Sequence, residues 1–278
     1  MIRGLYTAAS GMLLGLRQQD VTAANISNAS TVGYKAEQSA QTAFGSVLAT
    51  HKEASEGPGP AGAAHDRVIG RVGTGTYIAT VRTDLSQGAE RETAEPLDVM
   101  LRGDGFFTVR TRYGATHYTR DGHFRRDERN QLVRRDGSLV LDSETRPIIV
   151  DTEHVRIKGD GSIFRFVEEE ATNPDGSRST ILKEEPIARL GVVNVDAADL
   201  LPAGESCYAV PPSATVTPVD FTDSGSSVLQ GALEEANVNM GQTATRMFSL
   251  SRTFEASQRV FSTINESLER AVRDVGRV

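Results

Sequence analysis

The sequence predicts an α+β protein, in which N- and C-terminal amphipathic helices form a coiled-coil-like helical domain and the centre of the chain forms an antiparallel all-β domain. Two observations predict this fold. Apolar residues recur every seven positions at both ends of the chain, as in helices that pack along a seam. Between the ends, five Asp-Gly pairs separate short runs of β-branched and aromatic residues, which is typical of strands joined by hairpin turns.

The N-terminal helix is predicted to span residues 1 to about 30. Its seven-residue series has further apolar or small residues interleaved between the members, which gives one continuous stripe. The series is Leu5, Met12, Gln19 and Ile26, with Ala9, Leu16 and Ala23 between them. We expect the helix to end in the Asn- and Ser-rich stretch before Gly33, because these side chains compete for backbone hydrogen bonds and glycine permits a left-handed turn.

A linker is predicted at residues 51–66. This stretch contains three glycines and two prolines and shows no apolar periodicity. We therefore expect it to be extended or mobile in isolation, between the N-terminal helix and the β-domain.

The central β-domain is predicted over residues 67–225. The predicted strands are Phe106–Val109, His117–Thr119, Leu132–Val133, Leu139–Leu141, Ile148–Val150, Val155–Ile157, Ile163–Phe166 and Leu190–Val195. The predicted turns are Asp104-Gly105, Asp121-Gly122, Asp136-Gly137, Asp160-Gly161 and Asp175-Gly176. Because Asp-Gly accommodates positive φ at both central positions of a type I′ turn, we expect hairpins of this type in an antiparallel meander.

The C-terminal helix is predicted to begin at Asn239, whose side chain can cap it, and to run to about Gly276. Its series is Leu233, Met240, Met247, Phe254, Phe261, Leu268 and Val275, with Ala244, Ser251, Gln258, Asn265 and Val272 interleaved. Three polar groups in line within this series favour a multi-subunit bundle over burial inside one domain. On the outer faces we expect three ion pairs, Glu255–Arg259, Glu266–Arg270 and Glu269–Arg273.

Composition and charge argue against several classes of function. The net charge of -7 is unfavourable for nucleic-acid binding. No apolar run approaches the roughly 18 residues of a membrane span, so no membrane insertion is expected. The N-terminal apolar residues are interrupted by glycines and do not resemble a secretory signal. A single cysteine, Cys207, excludes an internal disulfide and a cysteine-based zinc site.

No catalytic motif is found, so we predict that the protein is not an enzyme and needs no cofactor. Gly73-Thr74-Gly75 begins like a dinucleotide fingerprint, but Ile78 stands in place of the third glycine. His117 and His123 flank a predicted hairpin turn and could form a cross-strand metal pair, although solvated histidines are the more common arrangement there.

Three long motifs follow one another along the chain. The first comprises residues 1–12 (MIRGLYTAASGM) and 25–35 (NISNASTVGYK), the second residues 97–107 (LDVMLRGDGFF) and 118–124 (YTRDGHF), and the third residues 228–239 (VLQGALEEANVN). Together they resemble the signatures of the bacterial flagellar rod and hook protein family. The chain has room for only one β-domain, which favours the basal-body rod proteins, proximal or distal, and its opening looks most like the rod pair of Gram-positive bacteria.

The resemblance implies a structural subunit of the flagellar basal-body rod. Such a subunit would self-assemble into a helical axial tube that transmits torque from motor to hook. Its partners would be copies of itself, other flagellar rod and hook proteins, and the flagellar export apparatus, which would carry it to the basal body without a cleaved signal peptide. The alternatives are a flagellar hook subunit or a secreted β-rich adhesin or binding module.

The predicted organisation combines the motifs with the periodicity. Residues 1–50 hold the N-terminal helix and family motif of the helical assembly domain, 51–66 the linker, 67–225 the β-domain and 226–278 the C-terminal helix. The stripes of the two helices form the predicted assembly interface, because each needs another apolar surface to pack against. The interface residues are Leu5, Met12, Leu16, Ala23, Ile26, Met240, Met247, Phe254, Phe261, Leu268 and Val275.

Overall fold

A computed structural model of the chain describes residues 2–52, 66–152, 154–172, 178–221 and 225–276. The helices are α1 (Ile2–Ser27) and α2 (Met240–Val275). The strands are β1 (Glu37–Ala43), β2 (Val47–Lys52), β3 (Asp66–Val72), β4 (Thr76–Thr83), β5 (Glu90–Glu92), β6 (Val99–Arg102), β7 (Phe106–Arg110), β8 (Thr116–Thr119), β9 (Phe124–Arg126), β10 (Leu132–Arg134), β11 (Leu139–Val140), β12 (Val155–Ile157), β13 (Ser162–Thr172), β14 (Arg178–Arg189), β15 (Val192–Val195), β16 (Leu201–Gly204), β17 (Cys207–Ala209), β18 (Val216–Pro218), β19 (Ser227–Gln230) and β20 (Ala232–Glu234). Neither helix combines the length and apolar character needed to cross a membrane.

The chain divides into two compact units. The helical unit comprises Met1–Ile26, Glu37–Arg82 and Met240–Val278, and the β unit comprises Ser27–Ala36 and Thr83–Asn239. Residues 67–82, which we predicted to open the β-domain, belong instead to the helical unit, because β3 pairs with β2 and β4 pairs with β1. The predicted linker likewise begins and ends in paired strands, and its residues 53–65 lie outside the described residues.

In the helical unit, α1 contacts α2 through its glycines. A Cβ atom built on Gly4, Gly11 or Gly15 would lie 3.2 to 3.8 Å from an α2 side chain, and Gln19 Nε2 donates to Ser251 Oγ at 3.5 Å. The contacts pair Gly4 with Ile264, Gly11 with Ser257, Gly15 with Phe254 and Gln19 with Ser251. Since the α2 number falls as the α1 number rises, the two helices run antiparallel.

The packed face of α2 differs in part from the predicted stripe. Its seven-residue series is half-buried at Met247, Phe254, Phe261 and Leu268, and a second half-buried series lies three residues after each member, at Leu250, Ser257, Ile264 and Ala271. Of the predicted interleaved residues, Ala244 and Ser251 are half-buried, whereas Gln258 and Asn265 are exposed and Val272 is 71% exposed. Positions three and four residues onward lie on neighbouring parts of one helical face, so the periodicity could not choose between them. Of the three polar residues predicted in line, only Ser251 meets α1 within one chain, their role between subunits stays a prediction, and these contacts do not establish a coiled coil.

Two further details of α2 were predicted incorrectly. Leu233, the first member of the series, lies in β20 and is buried in the β unit. Of the three expected ion pairs only Arg273–Glu269 forms among the described residues. Exposed pairs of this kind contribute little, so the helix depends mainly on packing.

The β unit is built on a nine-stranded antiparallel sheet. Its order is β16-β17-β8-β7-β11-β10-β9, with β15 beside β7 and β18 beside β15. A second sheet has the order β12-β13-β14. In addition, β6 pairs with β19 and β5 pairs with β20. The main core includes Val99, Phe107, Leu132, Ile163 and Val228. Complete burial of one such side chain stabilises the fold by about 1.5–3 kcal/mol.

Strands formed at seven of the eight predicted places, and the exception is Ile148–Val150. In this segment Ile149 makes only an isolated bridge, to Gln131, although Ile148 and Val150 are buried. Leu132 N donates to Ile148 O at 2.9 Å and Ile148 N donates to Val140 O at 3.1 Å, so the segment is hydrogen-bonded to β10 and β11 but lacks the continuous pairing that defines a strand.

The Asp-Gly turns are not of the predicted type I′. At Asp136-Gly137 and Asp160-Gly161 only the glycine has positive φ, and its N–H donates to the carbonyl oxygen three residues earlier, at 3.0 and 2.9 Å. The aspartate side chain accepts a hydrogen bond from the backbone N–H two residues later, which suits a type I turn followed by a glycine bulge. Asp121-Gly122 makes no hairpin, and Asp175-Gly176 lies outside the described residues.

Two consecutive positive φ angles occur instead in the Glu205-Ser206 turn between β16 and β17, at 51° and 57°. Left-handed backbone costs a residue with a Cβ atom about 1–2 kcal/mol. The turn is held from outside, since Arg134 Nη2 donates to Glu205 O and Thr119 Oγ1 donates to Ser206 O, both at 2.8 Å.

Ser206→Gly is expected to raise the free energy of unfolding by about 1 kcal/mol. The change relieves the left-handed strain and removes a buried hydroxyl that has no hydrogen-bond partner, while both external hydrogen bonds are kept. Urea unfolding followed by circular dichroism measures the effect. Ser213→Gly is the matched control, because Ser213 is exposed and lacks a positive φ, and it should be neutral or slightly destabilising. Equal effects of the two changes would contradict the strain at Ser206.

Candidate functional site

A buried ionic cluster in the β unit brings the three sequence motifs together. Lys35 comes from the first motif, Arg120 from the second and Glu234 from the third, and their side chains are only 1%, 4% and 1% exposed. Lys35 Nζ lies 2.6 Å from Glu234 Oε1, and Arg120 Nη1 lies 3.4 Å from Glu234 Oε2. One carboxylate thus links two cations that are 85 positions apart in the chain.

The first motif reaches the cluster through a glycine turn. Gly33 has φ +65°, as predicted for a left-handed turn after the helix, and its N–H donates to Glu234 O at 2.8 Å. A Cβ atom at this position would lie 2.4 Å from Asp121 N. Only glycine can therefore bring the chain this close to the second motif and deliver Lys35 to the cluster.

Asn237 holds the third motif beside the first. Its Oδ1 accepts a hydrogen bond from Ala36 N at 2.7 Å, and its Nδ2 donates to Asp84 O at 2.8 Å and to Ser86 O at 3.0 Å. Ser86 O also accepts from Lys35 Nζ at 2.7 Å. The amide and the ammonium therefore fix the same stretch of backbone.

The remaining polar atoms around the carboxylate are largely paired. Gly88 N donates to Glu234 Oε1 at 2.8 Å, and Arg120 Nη2 donates to Gly103 O at 2.7 Å. The Arg120 guanidinium also lies over the Phe106 ring, 5.3 Å from its centroid. Burial lowers the pKa of Lys35, and the Glu234 carboxylate opposes that shift. A fixed, desolvated ion pair of this kind is a cross-link between chain segments.

A second charged cluster surrounds Arg134, whose side chain is 3% exposed. Its Nε lies 3.5 Å from Asp121 Oδ2, its Nη2 lies 3.7 Å from Asp136 Oδ2, and its Nη1 donates to Cys207 Sγ. Burial raises the pKa of the Asp121 carboxyl, although the hydrogen bond from the His123 N–H and the positive charge of Arg134 both act to lower it. Burial also raises the pKa of the Cys207 thiol, which argues against a reactive thiolate.

The residues considered above for metal or nucleotide binding lie in environments that differ from such sites. No group of three metal-ligating side chains gathers among the described residues. His123 Nδ1 lies 2.7 Å from Asp98 Oδ1, and the His123 backbone N–H donates a hydrogen bond to Asp121 Oδ1. Gly75 packs against Ser10 of α1, in the turn that joins β3 and β4.

All of the predicted assembly residues that are described lie in the helical unit. Leu5, Met12, Ile26, Met247, Phe254, Phe261 and Leu268 are half-buried, whereas Leu16, Ala23 and Met240 are exposed. The side chain of Val275 is outside the described part. Burial by α1 within one chain therefore leaves part of each stripe uncovered.

The cluster residues Lys35, Arg120, Glu234 and Asn237 were given no role by sequence reasoning. They lie inside the three motifs, but their partners are up to 201 positions away. The only local sign of the cluster in the sequence is that charged residues occur within motifs that otherwise consist largely of apolar and turn-forming residues.

Three family models match the chain in order. The model described as flagella basal body rod protein matches residues 5–35, that of the flagellar hook protein FlgE/F/G D1 domain matches residues 100–165, and that of the flagellar basal body rod FlgEFG protein C-terminal matches residues 229–274. Each match contains one member of the Lys35–Glu234–Arg120 cluster.

Curated relatives match along their whole length. The flagellar basal-body rod protein FlgG of Bacillus subtilis (strain 168) is 31% identical, with 98% of both chains covered. The flagellar basal-body rod protein FlgF of Escherichia coli (strain K12) is 29% identical over 98% of this chain and 97% of its own. The flagellar hook-basal body complex protein FlhO of Bacillus subtilis (strain 168) is 28% identical with both chains fully covered.

Proposed function

The chain belongs to the flagellar basal-body rod protein family and is a structural subunit of the rod, and from this we propose that it polymerises through its helical unit into an axial tube. In this proposal copies of the chain and other rod or hook proteins are its partners. The tube transmits torque from motor to hook. The family is structural, so no catalytic role is assigned.

The distribution of exposed apolar surface supports the proposal. Among the described residues, fourteen large apolar side chains are exposed and eleven of them lie in the helical unit. These eleven are Tyr6, Leu13, Leu16, Phe44, Val47, Tyr77, Val81, Met240, Phe248, Val260 and Val272. In the β unit the large apolar side chains that are exposed among the described residues are only Tyr113, Ile149 and Leu201. Concentrated exposed apolar surface is typical of a protein that associates.

The predicted assembly interface stays part of this proposal. The half-buried members of the stripes, such as Phe254 against Gly15, hold α1 and α2 together within one chain. The exposed members, Leu16, Ala23 and Met240, are then available to a neighbouring copy. Transport through the flagellar export apparatus and a location in the basal body outside the cytoplasm complete the proposal.

Polymerisation of the purified full-length chain tests this function. We expect sedimentation to show a concentration threshold for assembly and electron microscopy to show tubes. Leu16→Glu should raise the threshold roughly tenfold or more, because it places a charge in an apolar interface. Tyr113→Glu is the matched control, since Tyr113 is 99% exposed in the β unit and should have no effect. A wild-type chain that stays monomeric, even when seeded with isolated basal bodies, would refute the proposal.

A further inference from the structure

An apolar groove in the helical unit lies between α1 and β4. Its volume is about 510 Å³, which is enough for a large side chain. Leu13, Leu14 and Val21 form one wall and Tyr77, Ile78 and Val81 the other. Leu13 is 65% exposed, and both Tyr77 and Val81 are more than 40% exposed. The groove is therefore open to an incoming partner.

The rim of the groove carries one positive and one negative side chain. Arg17 and Asp20 line it, both are exposed, and neither forms an ion pair among the described residues. With Leu13 they form a series on one face of α1, an apolar residue followed four positions later by arginine and seven positions later by an acid.

The outer face of α2 carries the same series. Phe248 is 70% exposed, and Arg252 and Glu255 follow it four and seven positions later. Both charged residues are exposed and have no ion-pair partner in the described part of the chain. The side of α2 that meets α1 is marked by Ser251 and Phe254, so Phe248 points away from that contact.

We infer that the Phe248 side chain of one copy packs against the Val21–Val81 end of this groove in a second copy. When the two helices run antiparallel, Arg252 lies opposite Asp20 and Glu255 opposite Arg17, and both pairs are neutralised. In this register Phe248 falls opposite Ala24, about one turn past Val21, so its ring can reach the groove only at the end formed by Val21 and Val81. This inference rests on the self-assembly proposed above and assigns one of its contacts.

The geometry of the contact fits an open polymer. The groove and Phe248 lie on different surfaces of the same unit, so a copy that receives Phe248 still offers its own Phe248 to the next. Such a head-to-tail contact leaves one groove and one Phe248 available at the two ends of a pair, so further copies can add.

Charge reversal with rescue tests the pairing in the full-length chain. Asp20→Arg and Arg252→Asp should each raise the assembly threshold roughly tenfold, and the double variant should return it to near the wild-type value. Phe248→Ala should raise the threshold by a similar factor, whereas the control Tyr113→Ala should not. Circular dichroism of each variant checks that the helices are retained.

Cross-linking gives an independent measurement. Phe248→Cys combined with Val81→Cys should form a disulfide between chains in assembled material, while native Cys207 is buried and should not interfere. Variants that assemble as well as the wild type, without rescue or cross-link, would overturn the Phe248 contact and leave self-assembly intact. Failure of the wild type itself to assemble would overturn both.

Discussion

Glu234→Ala is expected to lower the free energy of unfolding by about 3–5 kcal/mol. Glu234 is 1% exposed and is the shared anion of Lys35 and Arg120, so its removal leaves two cations buried without a counter-charge. It also removes the acceptor of the Gly88 N–H. Urea unfolding followed by circular dichroism and tyrosine fluorescence measures the loss.

Two further variants make the Glu234 prediction specific. Glu90→Ala breaks the Arg102–Glu90 pair, whose side chains are 51% and 30% exposed, and should cost less than about 1 kcal/mol. Replacing Lys35, Arg120 and Glu234 together with Met, Leu and Leu should recover much of the loss, because no buried charge is then left unpaired. A loss from Glu234→Ala no larger than that from Glu90→Ala would show that the cluster is not desolvated.

Gly33→Ala is expected to cost about 2–5 kcal/mol through two separate effects. The residue has φ +65°, where a Cβ atom is strained. That atom would also lie 2.4 Å from Asp121 N and 2.5 Å from Arg120 C, which are backbone atoms and cannot rotate away. The turn must open, and Lys35 is drawn out of its pair with Glu234.

A glycine with the same φ separates the two effects. Gly225 also has φ +65°, but a Cβ atom there would meet nothing within 4 Å among the described residues. Gly225→Ala should therefore show only the conformational cost of about 1 kcal/mol. If both alanine variants lose the same stability, the close approach of the first and second motifs contributes nothing.

Local sequence rules correctly predicted the features that depend on interactions between neighbouring residues in the chain. The periodicity and the Asn239 cap place the start of α2 at Met240, and the glycine rule explains the turn at Gly33. The rules failed where two local solutions are nearly equivalent. Asp-Gly fits both a type I′ turn and a type I turn with a glycine bulge, and positions three or four residues onward lie on one helical face.

Contacts between distant segments were beyond these rules. The assignment of residues 67–82 to the helical unit depends on which strand each β-run pairs with, and β-propensity carries no such information. The glycines of α1, which we took as interruptions, are the places where α2 approaches. The Lys35–Glu234 pair joins residues 199 positions apart, and no periodicity records it.

The 199-residue separation of Lys35 and Glu234 also has a kinetic consequence. Contacts between the two ends of a chain form late and slowly, because a long loop must close before any energy is gained. In the helical unit Gly4 meets Ile264, so this part too waits for the last residues. A nascent chain can build hairpins such as β9–β10 early, but neither unit is complete until its C-terminal segment arrives. Slow completion would keep the chain open to chaperones and to proteolysis for longer than a chain of local contacts.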